Sequence, residues 1–359
     1  MKKVWKGLGI CLLVLVVLVA AFFAYLTATQ LDPENEGFTL NLMADRDASS
    51  RSFSPGDSIS VLSWNVGYAA LGEESDFFMD GGEQTRPESR AVVEKNLDGI
   101  VAELQAQSAD FSILQEVDSG STRSFGVQET DAIADATGLI NVYTRNYKCD
   151  FVPFPWPPLG KVSSGLFTLS TAQSISNAER VALPSPFTWP VSTANLKRCL
   201  LVTRIPLEDT EKQLVLVNLH LEAYDDGEGK IAQTKVLTEF LNAEYEAGNY
   251  VIAGGDFNQT FPGGLDVYPT VDASYWAPGT LDDTNLPGAL WQFAYDTATP
   301  TCRLLNMPYD PANAATQYYV IDGFILSPNV TLEQVETQNL GFRFSDHNPV
   351  LLHVTLNAD

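Results

Sequence analysis

Polar side chains suited to catalysis follow a series of apolar, strand-like runs along the chain. They are Asn65 after VLSW, Gln115 and Glu116 after FSIL, Asn218 and His220 in LVLVNLHL, Asp256 and Asn258 in VIAGGDFN, Asp322 in YYVIDGF, and Asp346 with His347 in FSDHNPV. The end of a strand can hold a side chain rigidly beside a cleft. An isolated Asn or Asp in such a place is usually a turn residue or a helix cap, so it is the whole set that indicates a site.

The histidines narrow the chemistry, because the chain contains only three. His220 and His347 belong to the set, whereas His353 lies in the alternating run PVLLHVTL and is interpreted as structural. Carboxylates bind hard cations such as Mg²⁺, Mn²⁺ or Ca²⁺, and histidine can act as acid or base at neutral pH. The sequence has no GxSxG elbow, no Gly-rich phosphate loop and no Cys/His zinc pattern. We therefore predict hydrolysis of a phosphate ester, in which a metal ion clamps the phosphoryl oxygens and a water attacks in line.

The motifs that contain these residues resemble those of the endonuclease/exonuclease/phosphatase superfamily, which includes deoxyribonuclease-like nucleases, neutral sphingomyelinases and inositol polyphosphate phosphatases. From about residue 58 to residue 356 they occur in the order SWNVG, LQEVD, SSGLFTLS, NLHLEA, GGDFNQ, VIDGF and SDHNPV. Each motif is weak alone, but the ordered set is specific. The resemblance implies a four-layer α/β/β/α sandwich of two mixed β-sheets flanked by helices, and hydrolysis that depends on Mg²⁺, with Mn²⁺ or Ca²⁺ as alternatives.

The resemblance also implies which residues hold the metal. Glu116 resembles the main metal ligand, with Asn65 beside it and Asp346 as a further ligand. Ser164 and Gly165, in the SSGL motif, are expected to shape the floor of the site without taking part in catalysis.

The remaining positions resemble the catalytic groups of the superfamily. His220 resembles the group that stabilises the phosphate or protonates the leaving oxygen. Asp256 and Asn258 resemble the pair that orients the attacking water and holds a phosphate oxygen. His347, oriented by Asp322, resembles a His–Asp dyad that acts as general base or as a phosphate-binding cation.

Hydrophobic periodicity predicts the elements that must position these residues. We predict strands at 58–64, 111–114, 140–152, 165–170, 199–205, 214–219, 250–255, 319–326 and 350–356. Helices are predicted at 92–107, 128–138 and 230–247, and the segment 260–315 is expected to be mostly loop. Strands interleaved with few long helices favour two stacked mixed sheets with helices outside.

The N-terminus has the pattern of a membrane segment. Lys2, Lys3 and Lys6 precede an uncharged apolar run from Gly7 to Leu26. A bilayer needs roughly 20 apolar residues, more than the apolar part of a cleaved signal peptide. We predict a cytoplasmic tail (1–6), a transmembrane signal anchor (7–27), a stalk (28–55) and a catalytic domain (56–358), with the domain outside the cytoplasm of a single-pass cell-membrane protein. The alternative is cleavage after a small residue such as Ala28, which would release a secreted enzyme.

The part beyond the membrane segment is strongly anionic. It has all 45 acidic residues and, once the three N-terminal lysines are set aside from the 21 bases, 18 basic residues, a formal charge of −27. Such a surface repels nucleic acid unless metal ions or a basic patch intervene. A lipid head group or a small phosphate ester is therefore favoured modestly over long nucleic acid as the substrate.

Two loops and a few cations are candidates for substrate selection. The segment 68–91 should overhang the metal site, and FVPFPWPPLG at 151–160 is predicted to be a loop packed by its own prolines, with contact to lipid or to a base as the alternative. The cations that could bind a second phosphate or a head group are Arg86, Arg90, Arg123, Arg145, Lys148 and Lys161.

The three cysteines beyond the membrane segment, Cys149, Cys199 and Cys302, form no CxxC pair. The sequence therefore suggests no zinc site. Two alternatives are compatible with the sequence: one disulfide with one free thiol, or three free buried thiols.

Our first hypothesis is an active, monomeric, metal-dependent phosphoesterase. The alternatives are an extracellular nuclease, a non-catalytic binding module that retains the fold, and a structural surface protein. A module that has lost activity normally loses metal ligands, whereas every motif residue is present here.

Overall fold

Two large β-sheets stacked face to face form the centre of the fold. The computed structural model describes residues 2–42, 50–225 and 227–358. Its strands are β1 (Thr39–Asn41), β2 (Ser58–Asn65), β3 (Phe111–Asp118), β4 (Ile140–Val152), β5 (Gly160–Ser170), β6 (Asn177–Ala182), β7 (Cys199–Pro206), β8 (Gln213–His220), β9 (Tyr250–Asp256), β10 (Gln259–Thr260), β11 (Gly279–Thr280), β12 (Gln292–Ala294), β13 (Cys302–Arg303), β14 (Tyr318–Tyr319), β15 (Asp322–Leu326), β16 (Val330–Thr337) and β17 (Val350–Leu356). Its helices are α1 (Lys2–Thr29), α2 (Arg90–Gln107), α3 (Glu129–Thr137), α4 (Glu228–Glu246) and α5 (Gly264–Val267), with short 3₁₀ turns at Gly67–Ala69, Phe78–Asp80, Val191–Ala194 and Asp283–Asn285.

A pair of parallel strands occupies the middle of each sheet. The first sheet has the order β1-β4-β5-β3-β2-β17-β16 and is parallel only between β2 and β3. The second has the order β12-β15-β9-β8-β7-β6 and is parallel only between β8 and β9. Parallel strands end at the same edge of a sheet, so their terminal polar residues become neighbours. Asn65 lies opposite Gln115, and both His220 and Asp322 lie opposite Asp256.

The alternation of side chains along the strands builds three apolar layers. Leu216 of β8 packs with Val61 of β2 between the sheets. Val217 packs outward against Leu237 of α4, and Leu62 packs outward against α2 and α3. Each buried side chain of this size stabilises the fold by about 1.5–3 kcal/mol relative to exposure. The layer order is therefore α/β/β/α, and the predicted fold class is confirmed.

Helix α1 is the one element of the described residues that is long and apolar enough to cross a membrane. Its 28 residues would extend about 42 Å, against a hydrocarbon core of about 30 Å. Most of the helix is exposed, and only its C-terminal turns contact the domain, with Leu26 buried. By length and composition α1 therefore matches the predicted membrane segment.

Most other predicted elements are present with shifted ends. β3 extends to Asp118, and the predicted strand 319–326 is two strands, because Thr301 Oγ1 accepts the backbone N–H groups of Ile321 and Asp322 at the break. β1, β6, β12 and β16 were not predicted. These four are the edge strands of the two large sheets, which pair on one side only and have little apolar alternation.

The segment 28–55, predicted to be a stalk, contacts the domain in its described part. β1 pairs with β4 at the edge of the first sheet. Phe53 is buried between the two sheets. The domain boundary at residue 56 stays a prediction, although these contacts extend the packed region toward the N-terminus.

The cysteine alternatives are resolved in favour of free thiols. Cys149, Cys199 and Cys302 are all buried and none is in a disulfide. Burial raises the pKa of the Cys199 thiol to about 11 and that of Cys302 to about 12, so both are protonated at neutral pH.

A buried amide pair joins the two sheets. Gln115 Nε2 donates to Asn218 Oδ1 at 2.9 Å, and Asn218 Nδ2 donates to the carbonyl oxygens of Leu114 and Phe167 at 3.0 and 3.2 Å. Asn218 and Gln115, which belong to the sequence-derived set of polar residues, thus hold the sheets together instead of facing a site.

Replacement of Asn218 by alanine should lower the free energy of unfolding by about 3 kcal/mol, because it leaves several buried polar groups without a partner. Urea unfolding of the full chain in detergent, followed by tryptophan fluorescence, measures the change. Asn242→Ala is the control, since the Asn242 side chain bonds to Glu246 on the exposed surface of α4, and its loss should lower the free energy of unfolding by less than about 0.5 kcal/mol. Equal losses in the two variants would contradict the bridging role.

Candidate active site

The carboxyl ends of the central strands surround one cavity of about 410 Å³. Of the eight residues predicted for the site, seven line this cavity: Asn65, Glu116, His220, Asp256, Asn258, Asp346 and His347. The eighth, Asp322, is buried behind His347 and is connected to the cavity by its hydrogen bond to that residue. Residues from distant parts of the chain and from both sheets therefore meet at one place.

Asn65 links the two sheets at the floor of the cavity. Its Nδ2 donates to Glu116 Oε1 at 3.2 Å and to Asp256 Oδ2 at 3.1 Å. Glu116 lies at an irregularity where the β3–β5 register shifts, and its backbone φ is +56°. A bulge of this kind re-aims a side chain. Gln115 therefore points between the sheets while Glu116 points into the cavity.

The loop after β2 fits closely against the loop that contains Asp346. Ser345 Oγ donates to the backbone oxygen of Asn65 at 2.8 Å. Gly67 has φ +51°, and a Cβ on it would come within 2.9 Å of Asp346 Oδ1 and 3.1 Å of Ser345 Oγ. Only glycine therefore allows the backbone at position 67 to lie this close to Ser345 and Asp346.

The predicted metal ligands provide hard oxygen donors in a site where burial disfavours the ionised form of a carboxyl group. Burial raises the pKa of Asp346 to about 6, with Glu116 adding to the increase and His347 opposing it. A divalent cation would relieve the repulsion between these two carboxylates. The donor set of Glu116, Asp346 and the Asn65 amide therefore fits a hard cation such as Mg²⁺.

Two other groups of three side chains could in principle hold a cation, and both are built around His347. They are Asp256 with Asp322 and His347, and Cys302 with Asp346 and His347, each with donor atoms within 4.8 Å of one another. We assign the first group to proton chemistry, since His347 is already bonded to Asp322. The second would need the Cys302 thiol, whose pKa is raised by burial and which is a soft ligand.

His347 and Asp322 form a buried ion pair. His347 Nδ1 donates to Asp322 Oδ2 at 2.8 Å, and the backbone oxygen of His347 accepts from Trp64 Nε1 at 2.9 Å. Burial alone would lower the pKa of His347, but the Asp322 carboxylate, helped by Asp346, raises it well above its ordinary value. The pair thus presents a cationic Nε2 to the cavity.

Asp256 lies between the two histidines, with its Oδ2 3.8 Å from His347 Nε2. His220 Nε2 lies 3.4 Å from Asp256 Oδ2, and Asp256 Oδ1 accepts the backbone N–H of Asn258 at 2.8 Å. Burial, with the nearby Arg198 and His347 charges, lowers the pKa of His220 well below its ordinary value. Burial and Asp322 raise the pKa of Asp256 to about 7. The two histidines therefore differ in charge, with His220 neutral and His347 cationic.

Three buried arginines line the cavity, namely Arg123, Arg198 and Arg303, and the sequence indicated only Arg123. Arg123 bonds to Asp118 at 2.9 and 3.1 Å and lies 3.5 Å from the centroid of the Tyr68 ring. Arg198 Nη1 donates to the backbone oxygen of His220 at 3.3 Å, with Glu222 3.6 Å from its Nε. Arg198 directly precedes an ordinary buried strand, and Arg303 lies in a segment expected to be mostly loop, so no sequence pattern around either residue indicates the site.

The other candidate cations do not line the cavity. Arg86 lies over the Phe125 ring, Arg90 pairs with Glu94, and Arg145 pairs with Glu36. Lys148 and Lys161 are also absent from the lining residues.

The loop 68–91 does reach the cavity, as predicted. Tyr68, Leu71, Phe77, Met79 and Asp80 form part of its wall. Much of this wall is apolar, so the cavity has a polar floor and an apolar entrance. Such a site suits a phosphate group attached to an apolar or aromatic body.

No family model matches the chain, and no curated protein matches its sequence. Solved structures do match its fold. The endonuclease/exonuclease/phosphatase from Beutenbergia cavernae is 17% identical with a TM-score of 0.58, and the match covers 84% of this chain and 72% of that one. A family protein from Bacteroides thetaiotaomicron is 15% identical with a TM-score of 0.54, covering 84% and 99%.

A third structure is that of ANGEL2, described as a 2′,3′-cyclic phosphatase in complex with adenosine-2′,3′-vanadate. It is 14% identical with a TM-score of 0.54, and the match covers 84% of this chain and 97% of that one. At these identities the similarity concerns the backbone arrangement. The chain therefore has the fold of the endonuclease/exonuclease/phosphatase proteins.

Proposed function

We propose that the protein is a divalent-metal-dependent hydrolase of phosphate esters that acts outside the cytoplasm while anchored by α1. The observation that carries the proposal is the convergence of carboxylates, amides and two differently charged histidines on one cavity. The fold is shared with proteins described as endonuclease/exonuclease/phosphatase and, for ANGEL2, as a cyclic phosphatase. A purely structural or binding role would give no reason for this arrangement of titratable groups.

Glu116, Asp346 and Asn65 would hold the metal ion, for which Mg²⁺ is our choice and Mn²⁺ or Ca²⁺ the alternatives. When bound, the ion would polarise the phosphoryl oxygens and reduce repulsion between the ester and an attacking water. Asn65 is already bonded to Glu116, so the protein prepares this side of the cavity in advance.

Three side chains of the protein would provide the remaining catalytic roles. Asp256, held by Asn258 and Asn65, would orient the attacking water and accept its proton, since its pKa of about 7 suits proton transfer near neutrality. His347, kept cationic by Asp322, would neutralise charge on the phosphoryl oxygens. His220, neutral in the free protein, would donate a hydrogen bond to the phosphate or to the leaving oxygen.

Replacement of His347 by alanine should lower kcat for bis-p-nitrophenyl phosphate by about 10³-fold, because the cavity loses the imidazolium that would neutralise charge on the phosphoryl oxygens. The far-ultraviolet circular dichroism spectrum should stay unchanged. His353→Ala is the matched control, since His353 is exposed on β17 and should retain full turnover. Full activity of His347→Ala would show that the site is assigned wrongly.

Glu116→Gln should weaken Mn²⁺ binding by at least about tenfold, because a charged oxygen donor is replaced by a neutral one. Electron paramagnetic resonance of Mn²⁺ titrated into the full chain in detergent measures the free ion. Glu94→Gln, an exposed change on α2, should leave affinity unaltered. Unchanged affinity in Glu116→Gln would remove this residue from the metal site.

Asp322→Asn should lower the pKa of His347, because the carboxylate that raises it is gone while the burial that lowers it remains. Only three histidines are present, so nuclear magnetic resonance of labelled histidine can follow the titration in EDTA. We expect a kcat about a hundredfold lower as well. A His347 pKa equal to that of the wild type would contradict the ion pair.

A further inference from the structure

Five large apolar side chains are exposed at the end of β4, in the loop that follows it, and around the 3₁₀ turn Val191–Ala194, and we call them the aromatic rim. They are Phe151, Phe154, Trp156, Trp189 and Val191, with exposed fractions of 40, 71, 88, 61 and 55%. The sequence predicts that the loop 151–160 is packed by its own prolines. Its aromatic side chains are exposed instead, so this prediction is wrong. An exposed patch of this kind marks an interaction surface in a stable protein.

Two residues of the rim, Phe151 and Trp189, contact the C-terminal end of α1. The ring of Phe22 lies 6.3 Å from that of Phe151, and the ring of Phe23 lies 6.0 Å from that of Trp189. Trp189 Nε1 also donates to Thr27 Oγ1 at 3.0 Å. The last turns of the apolar helix are thus fixed to the rim by ring contacts and a hydrogen bond.

The length of α1 sets the level of the rim relative to a bilayer. About 20 apolar residues span the hydrocarbon core, which places residues 22–26 at the boundary where the apolar run from Gly7 ends. Tryptophan and tyrosine are enriched at this boundary. The rim residues that contact α1 there must lie at the same level.

The same loops form one wall of the active-site cavity. Tyr147, Leu159 and Leu196 pack with Leu26 and Phe22 of α1 and also line the cavity. The ring of Phe154 lies 6.0 Å from that of Phe78, whose neighbour Phe77 also lines the cavity. The cavity is therefore adjacent to the rim and to the C-terminal end of α1.

We propose that the aromatic rim inserts into the leaflet at the C-terminal end of α1, and that the enzyme takes a phosphorylated lipid from that leaflet. This inference rests on the proposed function. The lipid phosphate would enter the polar floor while the apolar body stays against the apolar entrance and the rim. In the reaction, water forms a new P–O bond, the P–O bond of the lipid ester breaks, and the proton of the water passes to the leaving oxygen.

Charge favours this substrate over nucleic acid. The region beyond α1 has a formal charge of −27, obtained from 45 acidic and 18 basic residues, and it would repel a polyanion. The rim itself is uncharged, so its insertion does not require anionic lipid. A zwitterionic bilayer is therefore the appropriate test surface.

The first experiment measures insertion of the rim without relying on activity. The full chain is reconstituted into phosphatidylcholine nanodiscs with and without brominated acyl chains, and Trp156 emission is obtained as the difference between the wild type and Trp156→Phe. We expect the Trp156 component to be quenched by the brominated lipid. Emission that is insensitive to bromine would show that the rim faces water and would overturn the inference.

The second experiment compares a lipid phosphoester in the same nanodisc with soluble bis-p-nitrophenyl phosphate. The double variant Phe154→Ser/Trp156→Ser should lower lipid turnover by about tenfold and leave the soluble ester unaffected. Leu290→Ser, an equally exposed apolar change ahead of β12, should alter neither rate. Undiminished lipid turnover in the double variant would overturn a role for the rim.

The outcomes separate this inference from the proposed function. Hydrolysis of the soluble ester and of single-stranded RNA or DNA, without hydrolysis of any lipid in a panel of phosphorylated lipids, would overturn the substrate class. Hydrolysis of no ester, with Trp156 quenched, would refute the proposed function and the lipid substrate while supporting membrane contact.

Discussion

The amide of Asn65 donates to a carboxylate of its own sheet, Glu116, and to a carboxylate of the facing sheet, Asp256, and the rest of the site depends on these two bonds. They fix the distance between the part of the cavity suited to a cation and the part suited to proton transfer. Ser345 and Gly67 hold the Asn65 loop in place through a hydrogen bond and a close approach. Preorganisation of this kind lets binding energy act on the reacting group instead of on rearrangement of the protein.

Burial of several acids at one end of the sandwich creates the electrostatic character of the cavity. The pKa of Asp256 is raised to about 7 and that of Asp346 to about 6, so the folded protein disfavours their ionised forms. The cation of His347, which is paired with Asp322, opposes both increases. Clusters of raised and lowered pKa values are found mainly where a protein does chemistry or binds ions, and a stable core has no need of them.

The sequence predicted the layers and most strands, because alternating apolar residues such as those of β2 and β8 specify which face is buried. It could not predict the edge strands β1, β6, β12 and β16, whose partly exposed faces weaken that pattern. The sequence also could not predict the orientations of adjacent side chains. A bulge directs Gln115 between the sheets and Glu116 into the cavity. Arg198 joins the site only through tertiary packing, and the exposure of Trp156 depends on how its loop meets α1.

The most direct test of the central claim is hydrolysis of bis-p-nitrophenyl phosphate by the full chain, assayed with Mg²⁺ and after removal of divalent ions by EDTA. A metal-dependent phosphoesterase should release nitrophenol with Mg²⁺, stop in EDTA, and recover when Mg²⁺ is restored. Turnover that continues undiminished in EDTA, or no turnover by a folded protein that binds Mn²⁺, would contradict the account.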